Sequence, residues 1–198
     1  MVRIHPSVFL LLALGVLLIP LNWLGGAVFS VAVHEACHLT AIYILGGKAE
    51  TISIGHRGIE MAVMPMSPGR ELICALAGPA GSFLLLAMQR WFPAAAVCGL
   101  MQGFFNLLPM YPLDGGRALK CLLCLIGLEG SSGKILKTAE WVVSILIIIL
   151  GCYGAMKLGL GISPVIFSMA VLLRSIGRKN SLQRRERAST IGLPYTMR

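Results

Sequence analysis

The sequence predicts an all-α polytopic membrane protein of about six transmembrane helices, with a small β-hairpin after the second and an interrupted fourth helix. Three observations predict it. Of the 198 residues, 57% are hydrophobic and 13% charged, with a mean hydropathy of +0.82; soluble domains carry roughly twice that share of charge. Several apolar runs approach the ~20 residues that cross a bilayer as helix. The net charge of +9 is uneven, with seven Lys/Arg and one Glu from residue 174 onward.

Taken in order, "SVFLLLALGVLLIPLNWL" (7–24) reads as the first span. A signal peptide is the rival, because Arg3 precedes the apolar core. Another apolar segment follows at once without a clear small-residue cleavage site, which favours a span. The second span, about 25–45, stops at Gly46–Gly47, a helix-end signal. Residues 48–69 change character. "TISIGHRGIEMAV" holds two short β-prone runs around Gly-containing turn residues, so a hairpin at or in the membrane surface is expected over 48–66. A plain connecting loop is the alternative.

"ELICALAGPAGSFLLLAMQRW" (71–91) reads as the third span; its Gly78, Gly81 and Ser82 allow close helix approach. Residues 94–128 are too long and too broken for one plain span, with Pro109, Pro112, Gly115 and Gly116 in the middle. Apolar runs over 140–156 and 162–177 complete the set. Residues 1–178 are expected to form a single transmembrane domain and 179–198 a basic tail. "RSIGRKNSLQRRER" directly after an apolar run marks a cytoplasmic end. An even number of spans then puts both termini, and the 48–66 segment, on the cytoplasmic side of the cell membrane. No nucleic-acid partner is expected, since no aromatic interleaving or recognition fold accompanies the basic tail.

The six Cys lie in or beside apolar runs and read as small buried hydrophobes. Cys121 and Cys124 form a CxxC, but no second pair completes a zinc site. Two thiols on one helix face is the favoured reading.

The chemistry is carried by "VAVHEACHLT" (31–40). His34 and His38 are four apart and share a helix face. Two imidazoles so placed bind one zinc, with Glu35 between them as general base, the HExxH arrangement. A chain of this composition would show it by chance only about 0.003 times. The bland alternative is a pair of satisfied buried histidines, but ionisable groups within a span are costly and functional by default. Catalytic zinc takes three protein ligands and leaves a position for water. Asp114, the only Asp in the chain, lies where prolines and glycines break the long apolar segment. It is the candidate third ligand; a helix N-cap is its alternative.

HExxH in one span, "NLLP" and "LDGGR" in a later one, and "LAGPAGS" between them resemble the site-2 protease family of intramembrane zinc metalloproteases. The resemblance runs over about 25–128, and short six-span members such as the sporulation-factor processing proteases look closest in layout. Those often carry a C-terminal CBS domain, for which this chain is expected to end too soon. The resemblance implies one Zn2+ per chain held by His34, His38 and Asp114, with Glu35 as catalytic base. It implies for Asn106 a role in holding substrate or stabilising the oxyanion. Two positions depart from the family pattern: Cys37 replaces the usual Gly of HExGH, and Ser82 replaces the usual Asn after Gly-Pro-x-x. Ser82 keeps a hydroxyl with shorter reach toward substrate backbone.

The function expected is cleavage of a transmembrane or membrane-associated protein by zinc-activated water. The partners expected are that membrane protein substrate, the surrounding lipid and a regulatory membrane partner; nothing in the sequence speaks to oligomeric state. Two rival readings are a metal transporter or sensor in the membrane, and a proteolytically inactive relative that only binds membrane helices. A transporter would show several polar residues along a continuous path. An inactive relative would be free to lose Glu35.

Overall fold

The computed structural model describes residues 2–4, 6–47, 49–55, 58–63, 66–111 and 113–157. In chain order the elements are β1 (Val2–Ile4), α1 (Ser7–Leu18), α2 (Leu21–Ile44), β2 (Ala49–Gly55), β3 (Gly58–Val63), α3 (Pro68–Leu84), α4 (Pro93–Asn106), α5 (Asp114–Leu125) and α6 (Glu129–Lys157). One 3-10 turn, Leu85–Met88, extends α3. The chain divides into two compact units, Met1–Lys137 and Thr138–Arg198. The first holds β1 to α5 and the start of α6. The described part of the second is the remainder of α6.

Among the described residues, three helices are long and apolar enough to cross a membrane: Leu21–Ile44, Pro68–Met88 and Glu129–Tyr153. Their large apolar side chains face outward in numbers no soluble surface would carry; Leu21, Ile44 and Leu84 are each more than two-thirds exposed. This is the pattern of helices solvated by lipid.

The expected boundaries need correction at the first two spans. Instead of one helix over 7–24, α1 ends at Leu18 and α2 begins at Leu21, four residues before the expected start. Pro20, with φ −53° and no N–H to donate, cannot continue α1 but sits well just before a new helix. With 12 residues, α1 reaches about 18 Å, less than the ~30 Å hydrocarbon core. The interrupted segment consists of two short helices, α4 of 14 residues and α5 of 12, on either side of the expected break. Helix α6 starts at Glu129, well before the expected 140. The apolar run over 162–177, Pro112 and the basic tail 179–198 lie outside the described residues.

Helix α2 stops where the Gly pair predicts. Leu45 caps it, and Gly46 takes φ +75°, the left-handed conformation that closes a helix C-terminus with least strain in glycine. Beyond it, β2 and β3 pair antiparallel, with Gly55 opposite Gly58 at the turn and an irregularity between Ala49 and Thr51. The sequence did not anticipate β1. It pairs parallel with β2, Val2 opposite Ile52 to Ile4 opposite Ile54, giving a sheet of order β1-β2-β3. Three residues near a chain start show no periodicity of their own, so only the partner strand defines them.

Small residues let the helices of the first unit approach closely, as membrane packing requires. A Cβ on Gly26 of α2 would lie 2.8 Å from the Ala94 and Ala95 backbone of α4, and one on Gly99 of α4 would lie 2.7 Å from the Ser82 carbonyl of α3. Outside the histidine cluster, the buried Ser30 hydroxyl bridges α2 to α4 by donating to Gln102 Oε1 at 2.6 Å.

Candidate functional site

The buried residues of α2 are Gly26, Ser30, His34, His38 and Ile42, each four apart. That spacing keeps them on one helix face, which packs against α3 and α4. His34 and His38 therefore point inward as the pattern demands. Their rings meet edge to face with centroids 4.8 Å apart.

Asp114 is brought to them by the loop between α4 and α5. Met110 N–H donates to the Leu108 carbonyl at 2.7 Å and Leu113 N–H to the Met110 carbonyl at 2.9 Å, folding the loop tightly back on itself. Gly115 and Gly116 lie against the backbone of Leu107, Leu108, Met110 and Tyr111 too closely for any Cβ. The N-cap of α5 is Leu113 with no side-chain capping bond, and Asp114 is the first helical residue. Asp114 is thus not a helix cap; its carboxylate is turned toward the histidines.

Three potential metal-ligand atoms converge there. Asp114 Oδ2 lies 3.1 Å from His34 Nε2 and 3.1 Å from His38 Nε2, and the two Nε2 atoms are 3.2 Å apart. The residues are buried, at 2%, 6% and 9% exposure. His38 Nδ1–H donates to the Cys74 carbonyl at 2.7 Å, so a neutral His38 presents a lone pair at Nε2. Lone pairs of two imidazoles and a carboxylate aimed at one point repel unless a cation lies between them. Tetrahedral zinc bonds of about 2.05 Å set ligand atoms about 3.3 Å apart, close to the triangle observed. The three residues form the one potential metal-binding group among the described residues.

Around this triangle sit the remaining expected residues. Glu35 is half-buried beside it, within the electrostatic reach of His34, His38, Asp114 and Arg117. Asn106, the last residue of α4, places its amide Nδ2 3.2 Å from His34 Nε2. All five residues singled out by the sequence therefore lie at one place. Arg117, one turn after Asp114, also pairs at 3.8 Å with Glu71 in the first turn of α3. Both side chains are well exposed, so this link contributes little stability.

Gly78, Gly81 and Ser82 of α3 allow the close helix approach expected of them, but sequence reasoning missed which side chains they meet. His34 Nδ1 lies 2.8 Å from Ser82 Oγ, so Ser82 faces a histidine rather than a substrate. Gly78 lies directly under the His38 ring, and Gly81 under the Cys37 thiol. The larger Cys at position 37 is thereby accommodated by a residue without a side chain. The available signal was Cys74, Gly78 and Ser82, each four apart on α3, a small-residue face matching the spacing of Ser30, His34 and His38. Gly78→Ala would drive a methyl into the His38 ring. It is expected to destabilise the protein by about 1–3 kcal/mol, the usual cost of overpacking. Denaturation of detergent-solubilised protein measures this, and an unchanged midpoint would contradict the close contact.

No protein-family model matches the chain. In sequence it is similar to zinc metalloprotease MJ0392 of Methanocaldococcus jannaschii, 34% identical over 109 residues, which are 48% of this chain and 32% of that protein. It is also similar to stage IV sporulation protein FB of Bacillus subtilis, 27% identical over 132 residues, 60% of this chain and 46% of that protein. The matches span less than half the length of either curated relative. In structure the chain is similar to the site-2 protease from Methanocaldococcus jannaschii, with a TM-score of 0.61 and 22% identity over 89% of each chain. Fold and site define a polytopic helical membrane protein built around a buried His–His–Asp cluster. In fold it is similar to the site-2 protease of Methanocaldococcus jannaschii.

Proposed function

We propose that this chain is an intramembrane zinc metalloprotease that hydrolyses a transmembrane or membrane-associated protein. The observation that carries it is the triangle of His34 Nε2, His38 Nε2 and Asp114 Oδ2, with Glu35 beside it. These three residues would hold one Zn2+. When bound, the metal supplies an acidified water and a positive charge to offset the developing oxyanion. Glu35 accepts the proton of the attacking water on a carboxylate oxygen and delivers it to the leaving amide nitrogen. The Asn106 amide, at the rim of the triangle, donates a hydrogen bond to the carbonyl oxygen as it gains charge.

A helical substrate hides its carbonyls in its own hydrogen bonds, so it must unwind to be cut. Strand β3 lies at the end of the β1-β2-β3 order and offers an edge on which an extended substrate segment can pair. Six passes are proposed: α1, α2, α3, the α4–α5 pair, α6 and the 162–177 run. Both termini and the sheet are then cytoplasmic, supported by the basic residues after 173. Residues 1–178 form the protease domain in this reading and 179–198 a basic tail.

Elemental analysis of the purified protein tests the metal assignment. About one zinc per chain is expected, and its loss in both His34→Ala and His38→Ala. Unchanged zinc content in both variants would refute the site.

A further inference from the structure

Each histidine has a second ring nitrogen, and α3, which supplies no atom to the donor triangle, engages both. His38 Nδ1–H donates to the Cys74 carbonyl at 2.7 Å. His34 Nδ1 meets Ser82 Oγ at 2.8 Å. Ser82 is fully buried at 0% exposure, so its hydroxyl has no water to bond and this contact satisfies it. A serine hydroxyl can donate or accept, and the role it takes decides which nitrogen of His34 is bare. The Asn106 Nδ2 amide approaches His34 Nε2 at 3.2 Å. A metal held at the triangle needs a bare Nε2, which puts the His34 ring proton on Nδ1. His38, one turn along the same face, has that tautomer fixed by a backbone carbonyl, which can only accept.

We propose that Ser82 is a positioning residue for His34: its hydroxyl oxygen accepts the Nδ1–H bond, orienting the ring so that Nε2 faces Asp114 and His38. Helix α3 thus sets the tautomer of both histidines through residues eight apart, Cys74 by its backbone and Ser82 by its side chain. The consequence for metal affinity rests on the zinc reading of the site; the contact itself does not. Removing an acceptor behind a ligating histidine typically weakens metal binding about 10–100-fold.

The test compares full-length protein with Ser82→Ala, which removes the hydroxyl with little change of volume. Zinc affinity is read by chelator competition, and selectively 15N-histidine-labelled protein reports each ring nitrogen by NMR. Ser82→Ala is expected to weaken zinc about 10–100-fold. It is also expected to shift the His34 Nδ1 resonance while leaving His38 in place. An unmoved His34 resonance overturns the proposal, even where affinity falls, because the loss would then come from packing alone. Should the parent protein bind no zinc, the metal reading fails by itself. The same two spectra, recorded without metal, still decide whether Ser82 holds His34.

Discussion

Asp114→Asn is expected to abolish both zinc binding and proteolysis while leaving the protein folded in the membrane. Asn matches Asp in size but is neutral and offers only a carbonyl oxygen. The buried triangle would lose its one anionic donor, the oxygen 3.1 Å from both imidazoles. Zinc affinity should fall by more than the 10–100-fold that follows loss of a residue merely supporting a ligand. A capping role would predict the reverse, because Asn caps about as well as Asp. Asp114→Glu keeps the charge but moves the oxygen by one methylene, about 1.5 Å. It also brings extra bulk into a loop already closed on Gly115 and Gly116. At most partial activity is expected from it. Zinc content by elemental analysis and cleavage of a membrane substrate decide both variants. Full zinc and full activity in Asp114→Asn would leave the third donor unidentified.

Glu35→Gln separates chemistry from metal binding. The two side chains have nearly the same shape, and Glu35 lies outside the donor triangle, so zinc content should stay at the parental level. The amide cannot take the proton of the attacking water. Loss of a general base lowers turnover by about 10²–10⁴-fold, and cleavage should fall below detection in an ordinary assay. The variant should still capture uncleaved substrate, making it the reagent with which to recover one from membranes. Near-normal turnover in Glu35→Gln would show that another group moves the proton. Loss of zinc instead would show Glu35 to be a ligand.

Some of this was legible without the fold because it depends on local geometry alone. His34 and His38 share a face because a helix turns every 3.6 residues, and nothing distant alters that. The helix stop at Gly46–Gly47 and the prolines opening α3 and α4 are likewise local. Asp114 could be nominated only because it is the one Asp in the chain and lies at a break in the apolar pattern. Pro20 was misjudged within an unbroken apolar run: hydropathy is blind to a missing N–H, and the backbone is not.

What the sequence determined by itself is therefore the membrane solvent of the chain and the paired histidines with the glutamate between them. These follow from side-chain chemistry and helical period. The tertiary structure decided which distant groups meet them. Asp114 reaches His34 across 80 residues and Ser82 across 48. The three residues of β1 become a strand only through β2. Such pairings depend on how closely helices approach, and that is set by glycines such as Gly78 and Gly81 lying opposite the bulk of His38 and Cys37. Complementarity of this kind belongs to two surfaces at once, so neither stretch of sequence contains it alone.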